Sequence, residues 1–309
     1  MLTCSVTQFL DDEVKTCLEF PLEWAPNFGC FEPTEAVAQN LLYRQGKIVP
    51  MDPSSSLAVS NLELASDDHV LDLCCAPGGK MVLMSEQLRS GGSITGVDIS
   101  RARLAAASTM AKKYKLPRLR LLHGDGTTLR PLRHLISEPR SSREGLTYAE
   151  LYPDPQHRPF FSSGPYRKQR GQLAMALYDK VLVDAQCTHD GSIKHIRKHI
   201  QEGWANYNPH HYSPDGLQDL YDLQLRLLEN GFGCLKSGGI LVYSTCSLSK
   251  AQNEGIIHRF LTRHADTALI LDPIGPDEFV IQFESGSALC VVPTAKMGGG
   301  FFVCRIRKL

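Results

Sequence analysis

The stretch VLDLCCAPGGK, residues 70–80, decides the fold. Val70 to Cys74 read as a buried strand, Gly78 and Gly79 as a turn, and the residues that follow as the start of a helix. Two glycines in such a turn let backbone approach a ligand with no Cβ in the way. The helix that opens there offers free N–H groups and the positive end of its dipole. The turn is not GxGxxG, so the dinucleotide fingerprint is absent.

Working outward, short apolar runs alternate with stretches of helical period. Strands are expected at residues 69–74, 93–98, 118–123, 180–184, 239–244, 288–292 and 301–305. Helices are expected at 79–88, 101–115, 217–235 and 251–264. Strands alternating with helices imply an α/β fold with a parallel sheet covered on both faces. The last two strands are close in sequence, which implies an antiparallel edge. Residues 1–45, with scattered aromatics and prolines, read as a small N-terminal extension, and residues 46–309 as the main domain. Two long connections interrupt the pattern, 137–178 and the histidine-rich 186–215. Loops of this length in a compact domain are usually functional or disordered, and the second begins at a strand end, where binding loops gather.

Three strand ends carry polar signals in the right order for a nucleoside-bearing cofactor. The first is the glycine turn. The second is Asp98, twenty residues after Gly78, where a carboxylate can accept from both hydroxyls of a ribose. The third is Asp125 in HGDGT, placed to reach an adenine amino group. Helix capping is the competing explanation for either acid. Two further strand ends carry thiols. KVLVDAQCTHDGS puts Asp184 at a strand end and Cys187 three residues on, and GGILVYSTCSLSKAQNE puts Cys246 just past the next strand. Ligands of open α/β sheets bind outside the carboxyl ends of the strands, so both thiols should face the cofactor pocket. For most of the ten cysteines a small buried hydrophobe is the better description.

Composition narrows the class. The chain has 309 residues, 42% hydrophobic and 21% charged, which fits a globular protein and excludes a mostly disordered one. No apolar run approaches the roughly 20 residues of a membrane span. The cysteines form no CxxC pair, so reduced thiols in an intracellular protein are expected, with no metal site; His189, His195 and His199 lack a companion pattern in sequence. No secretory or Arg-rich transit leader is visible, and the compartment stays open between cytoplasm, nucleus and mitochondrion. Lys+Arg and Asp+Glu are both 33, so only local charge points to a partner. Seven basic residues and no acid lie between Asp98 and Asp125, and further clusters sit at 166–170, 194–199 and 305–308. Such clusters suit phosphate contacts. Lys194, Arg197 and Lys198, just after Cys187, are the strongest candidates for contact with a nucleic-acid phosphate.

Six segments in order carry a resemblance: PMDPSSSLAV (50–59), LDLCCAPGGK (71–80), GVDIS (96–100), DAQCTHDGS (184–192), YSTCSLSKAQNE (243–254) and GFFVCRIRK (300–308). Through them the chain resembles the Sun (Nop2/Sun) family of S-adenosylmethionine-dependent RNA (cytosine-5)-methyltransferases. The resemblance implies a Rossmann-like class I methyltransferase fold, a mostly parallel seven-stranded sheet with an antiparallel edge. It implies S-adenosylmethionine as cofactor and tRNA or rRNA as substrate, with no membrane partner. By motif it makes Cys246 the nucleophile and Cys187 the residue that helps release product, with Asp184 at the cytosine ring edge. It places Cys74, Ala76, Pro77, Gly78, Gly79, Lys80, Asp98, Arg103, Asp125, Gly126 and Asp184 around the cofactor or the catalytic centre. Two departures stand out. Gln186 replaces the usual proline, which would loosen the presentation of Asp184 and Cys187, and Cys75 stands where alanine is usual.

The chemistry asks for these groups. Cytosine C5 is a poor nucleophile until a thiolate adds at C6. An ordinary thiol is only about 3% ionised at neutral pH, so a neighbouring cation is expected, with Lys80 the candidate. The competing expectation is a catalytically weak or inactive protein that keeps the fold for RNA binding or assembly.

Overall fold

The computed structural model describes residues 20–22, 25–30, 41–88, 91–129, 132–134, 159–163, 173–175, 177–202, 212–284, 286–293 and 298–309. Most of the expected extension 1–45, most of the 137–178 connection and the basic stretch 166–170 lie outside these residues.

Ten strands form one sheet. In chain order they are β1 (His69–Asp72), β2 (Ser93–Asp98), β3 (Leu119–His123), β4 (Pro159–Ser162), β5 (Tyr178–Asp184), β6 (Leu235–Thr245), β7 (Ala268–Leu271), β8 (Val280–Phe283), β9 (Gly286–Val291) and β10 (Phe301–Lys308). The order across the sheet is β8-β9-β10-β6-β5-β1-β2-β3-β4, with β7 also on β10. The five central strands, β3-β2-β1-β5-β6, are parallel. Antiparallel strands flank them on both sides: β10, β9, β8 and β7 beyond β6, and β4 beyond β3. All seven expected strands are present, and β9 and β10 pair antiparallel as expected. The sheet is nevertheless larger than seven strands, and its antiparallel share exceeds one edge. β4, β7 and β8 are four residues each and mostly half-exposed, so none shows as an apolar run.

Six helices matter for the site: α1 (Ser54–Ser60), α2 (Gly79–Gln87), α3 (Arg101–Lys113), α4 (Ile193–Glu202), α5 (Pro214–Gly233) and α6 (Glu254–His264). Ser100 caps α3 by accepting from Arg103 N, and Ser213 caps α5 by accepting from Gly216 N, with Pro214 in the first turn. Helix α5 ends at Gly233, so Leu235 opens β6 and does not close the helix as expected. Helices α1 and α4 were not expected. The first lies in a serine-rich segment and the second in the histidine-rich connection, where polar residues hide the period.

Alternation along the strands puts side chains on two covered faces. Val70, Ile94, Leu182 and Val242 pack with α1, α2 and α3. Leu71, Val181, Val183, Leu241 and Tyr243 pack with α5 and α6. Chain order reverses between β1 and β5: β1 continues to β2 on one side, while β5 pairs with its other edge. A crevice opens at such a point, outside the carboxyl ends of the strands. Among the described residues no helix is long and apolar enough to cross a membrane.

Candidate active site

The crevice holds a cavity of about 660 Å³. On its β2–β3 side Asp98, Asp125, Arg103, Cys74, Ala76, Pro77 and Gly126 line it. Asp98 is buried; its carboxylate accepts from Ala76 N (3.3 Å) and Ser100 N (2.9 Å). Arg103 donates to Ala76 O and stands 3.7 Å from Asp98. Asp125 Oδ1 accepts from Thr127 N and Oγ1, both at 2.8 Å. Neither acid caps a helix; each accepts from the backbone two residues on, closing a turn, and both face the cavity. Gly78 and Gly79 do not line it. Gly78 has φ of +110°, and a Cβ there would meet α3 at Ala107 Cα, 3.5 Å away. A Cβ on Gly79 would lie 2.7 Å from Met51 Cε. Their glycine requirement is turn geometry and close packing. Apolar lining that the sequence left unmarked comes from Ile99, which is 69% exposed, and from Leu223 and Leu227 of α5. Two strand-end carboxylates beside an apolar wall fit the hydroxyls, amino group and ring of an adenosine.

On the β5–β6 side stand the sulfurs. Cys246 lines the cavity, and its Sγ lies 3.4 Å from Cys187 Sγ, which is buried behind it. His189 Nδ1 is 3.0 Å from Cys246 Sγ and 3.6 Å from Cys187 Sγ. His189 stacks on His195, ring centroids 4.4 Å apart. The hydrogen bond from Cys246 lowers the Cys187 thiol against the opposing effect of burial, and His189 adds to it. The same bond, with burial, raises Cys246. His189 is raised, chiefly by its bond to Cys187. The three groups thus share protons as a unit: the first leaves below the ordinary thiol range and the second is held.

Lys80, the expected cation, donates through Nζ to Asp184 Oδ2 at 2.7 Å, and its charge also favours ionisation of Cys246. The side chain in contact with Cys246 Sγ is His189, which sequence reasoning missed because nothing in the spacing places residue 189 against residue 246. Ser244 Oγ donates to the other oxygen of Asp184, also at 2.7 Å. Burial disfavours the Lys80 charge, yet the bonded Asp184 outweighs it and its pKa is raised. Beneath them Asp72, 1% exposed, is pushed up to about 7 by burial and then by Asp184.

Buried amides hold the two loops in register. Gln224 of α5 donates to Gln186 O at 2.8 Å. Gln252 accepts from Thr188 N (3.0 Å) and donates to Thr188 Oγ1 (2.8 Å). Asn253 accepts from Thr245 Oγ1 and donates to Ser247 O. Gly191 N donates to Cys246 O at 3.0 Å, tying one loop to the other. The backbone that a proline at 186 would stiffen is thus fixed by hydrogen bonds.

Among the basic residues, Lys194 and His195 of α4 line the cavity mouth; Lys198 is exposed and Arg197 half-buried on the same helix. Arg120, part of the basic run between Asp98 and Asp125, is 2% exposed and lies inside the domain, not on a phosphate-facing surface. The expectation of no metal set had assumed no thiolate near the histidines; the fold brings Cys187, His189 and Cys246 within 4.8 Å of one another.

The fold is the Rossmann-like fold of class I methyltransferases, with a cleft at its strand ends. A family model described as 16S rRNA methyltransferase RsmB/F matches residues 59–135 and 161–307, and the chain belongs to that family. It is 28% identical over 274 residues to a probable ribosomal RNA small subunit methyltransferase B of Bacillus subtilis, covering 88% of this chain and 50% of that one. It is 28% identical over 264 residues to the mitochondrial tRNA (cytosine(34)-C(5))-methyltransferase of Mus musculus, covering 84% and 63%. The chain spans about half the length of the bacterial relatives it matches. Among solved structures, a methyltransferase homolog from Pyrococcus horikoshii superimposes with TM-score 0.69 at 23% identity, covering 100% of this chain and 87% of that one. NSun6 from the same organism, determined with SFG, gives 0.62 at 20%, covering 89% and 56%.

Proposed function

We propose that this chain is an RNA (cytosine-5)-methyltransferase that uses S-adenosylmethionine to methylate cytosine in rRNA or tRNA through a covalent bond from Cys246 to C6. The observation that carries the reading is the cavity-facing Cys246 sulfur in contact with both Cys187 and His189. The bacterial and mouse relatives, named for rRNA and tRNA methylation, support the substrate class.

Bound S-adenosylmethionine supplies an electrophilic methyl group. Asp98, Arg103 and Asp125 would hold its adenosine side, with Ile99 and Leu227 against the ring. His189 takes the Cys246 proton, and the thiolate adds to C6, making C5 electron-rich. Asp184, fixed between Lys80 and Ser244, faces the ring edge, and the Lys80 ammonium bonded to it lends the proton that N3 takes up as charge builds there and regains it when the adduct breaks. Once C5 carries the methyl group, Cys187 removes the C5 proton, the C6–S bond breaks, and Cys246 leaves as thiolate. Lys194 and its neighbours on α4 contact phosphate at the cavity mouth. A paired base must leave its stack, at a cost of a few kcal/mol, so a loop or flipped nucleotide is the target. Two working thiols call for reducing surroundings, which supports an intracellular location.

The test is transfer of labelled methyl from S-adenosylmethionine to cellular RNA. Wild type incorporates label into 5-methylcytosine and Cys246→Ala incorporates none; near-normal turnover in that variant would defeat the reading.

A further inference from the structure

The sulfur–imidazole cluster has a geometry that catalysis alone does not require. A tetrahedral zinc ion bonded at about 2.3 Å to sulfur and about 2.0–2.1 Å to nitrogen spaces its ligands about 3.8 Å sulfur to sulfur and about 3.6 Å sulfur to nitrogen. The three atoms here stand 3.4 Å apart for the sulfurs, and 3.0 and 3.6 Å from each sulfur to Nδ1. Movements of a few tenths of an ångström, within side-chain reach, convert one triangle into the other. The ligand types are the soft pair plus imidazole that zinc prefers. The backbone is rigid where it matters: Gly191 N holds Cys246 O, and Gln252 holds Thr188 between Cys187 and His189. Cys246 and His189 both face the cavity, so the fourth position of such an ion would open there.

We propose that Cys187, His189 and Cys246 form a three-ligand site for a thiophilic divalent cation of the zinc class, and that filling it silences the thiol pair. The site takes up the cation as both thiols release their protons to solvent, giving two metal–thiolate bonds and one metal–imidazole bond. The nucleophile is then a ligand, so cation and cytosine exclude each other. The binding claim stands without the methyltransferase reading; the silencing claim rests on it.

The experiment titrates Co²⁺ into the full chain, reduced with a phosphine and free of oxygen. A thiolate-to-cobalt charge-transfer band should rise to one equivalent and be bleached by one equivalent of Zn²⁺. His189→Gln should bind at least about tenfold more weakly, and Cys246→Ser should lose most of the band. Melting temperature gives a second reading that does not depend on activity: Zn²⁺ should raise it in wild type and not in either variant, provided each variant melts cooperatively without metal. One equivalent of Zn²⁺ should cut methyl transfer at least about tenfold, reversed by a chelator. A missing band, or equal affinity in wild type and both variants, overturns the proposal. A band in a protein that methylates no RNA keeps the metal site and removes the enzymatic reading; active protein without a band does the reverse.

Discussion

At residue scale the account turns on what surrounds Cys246. A lysine was the expected partner for its thiolate, and an imidazole stands there, 3.0 Å away. Imidazole can take the proton and give it back, whereas Lys80, bonded to Asp184, acts on the thiol through its charge alone. Because the shared hydrogen bond and His189 favour loss of the first proton, the thiol pair should react with iodoacetamide well below the ordinary thiol range near pH 8.5. His189→Ala should move that profile upward, as stopped-flow alkylation against pH would show. Asp72 gives a second titration. Its folded pKa is raised to about 7 from 3.8, so the folded protein holds a proton that the unfolded chain has lost. Its stabilising effect is complete below about pH 4 and falls away as pH rises to about 7, by up to about 4 kcal/mol. Asp72→Asn should flatten the fall of melting temperature across that window; an unchanged slope would place the titration elsewhere.

The elements explain which parts of this were legible in the sequence. Val70–Asp72, Val181–Val183 and Leu241–Tyr243 are apolar runs with both faces covered, and they show as strands. The three short flanking strands are mostly half-exposed; β4 and β7 pair with strands more than 30 residues away, and β8, in a hairpin with β9, is too short to show a period. At the site, Asp98, Asp125, Asp184, Cys187 and Cys246 are readable because each follows a strand. His189, Asp72, Gln224 and Gln252 are not, since their roles arise from contacts between segments far apart in sequence. Cys75, where alanine is usual, has a visible neighbour: a Cβ on Gly96 of β2 would lie 2.8 Å from its sulfur, so the larger side chain fits over a glycine. Helix α6 supplies an element-scale test. Phe260 is fully buried, edge-on to Phe232 of α5 at 5.1 Å and stacked with His264 at 4.4 Å. Phe260→Ala should destabilise the fold by about 3–5 kcal/mol in urea unfolding and leave the alkylation pH profile of any folded protein unchanged.

At the scale of the whole molecule, the reversal of strand order between β1 and β5 is what unites the two halves of the site. One side of the crevice carries Asp98 at the end of β2 and Asp125 just past β3; the other carries Asp184 at the end of β5, with Cys187 and Cys246 just past β5 and β6. A methyl donor bound on the first side would face the Cys246 sulfur on the second, with Lys194 and His195 of α4 at the mouth. Gln186, the departure expected to loosen this arrangement, is tethered through its carbonyl to α5, so Gln186→Pro should change turnover less than twofold. The central claim is that the Cys246 sulfur bonds to cytosine and that Cys187 is needed to release it. The most direct measurement is mass spectrometry of Cys187→Ala protein incubated with cellular RNA and S-adenosylmethionine, denatured and digested. A 5-methylcytosine nucleotide linked to residue 246 is the predicted result; no adduct, or an adduct on any other cysteine, would contradict it.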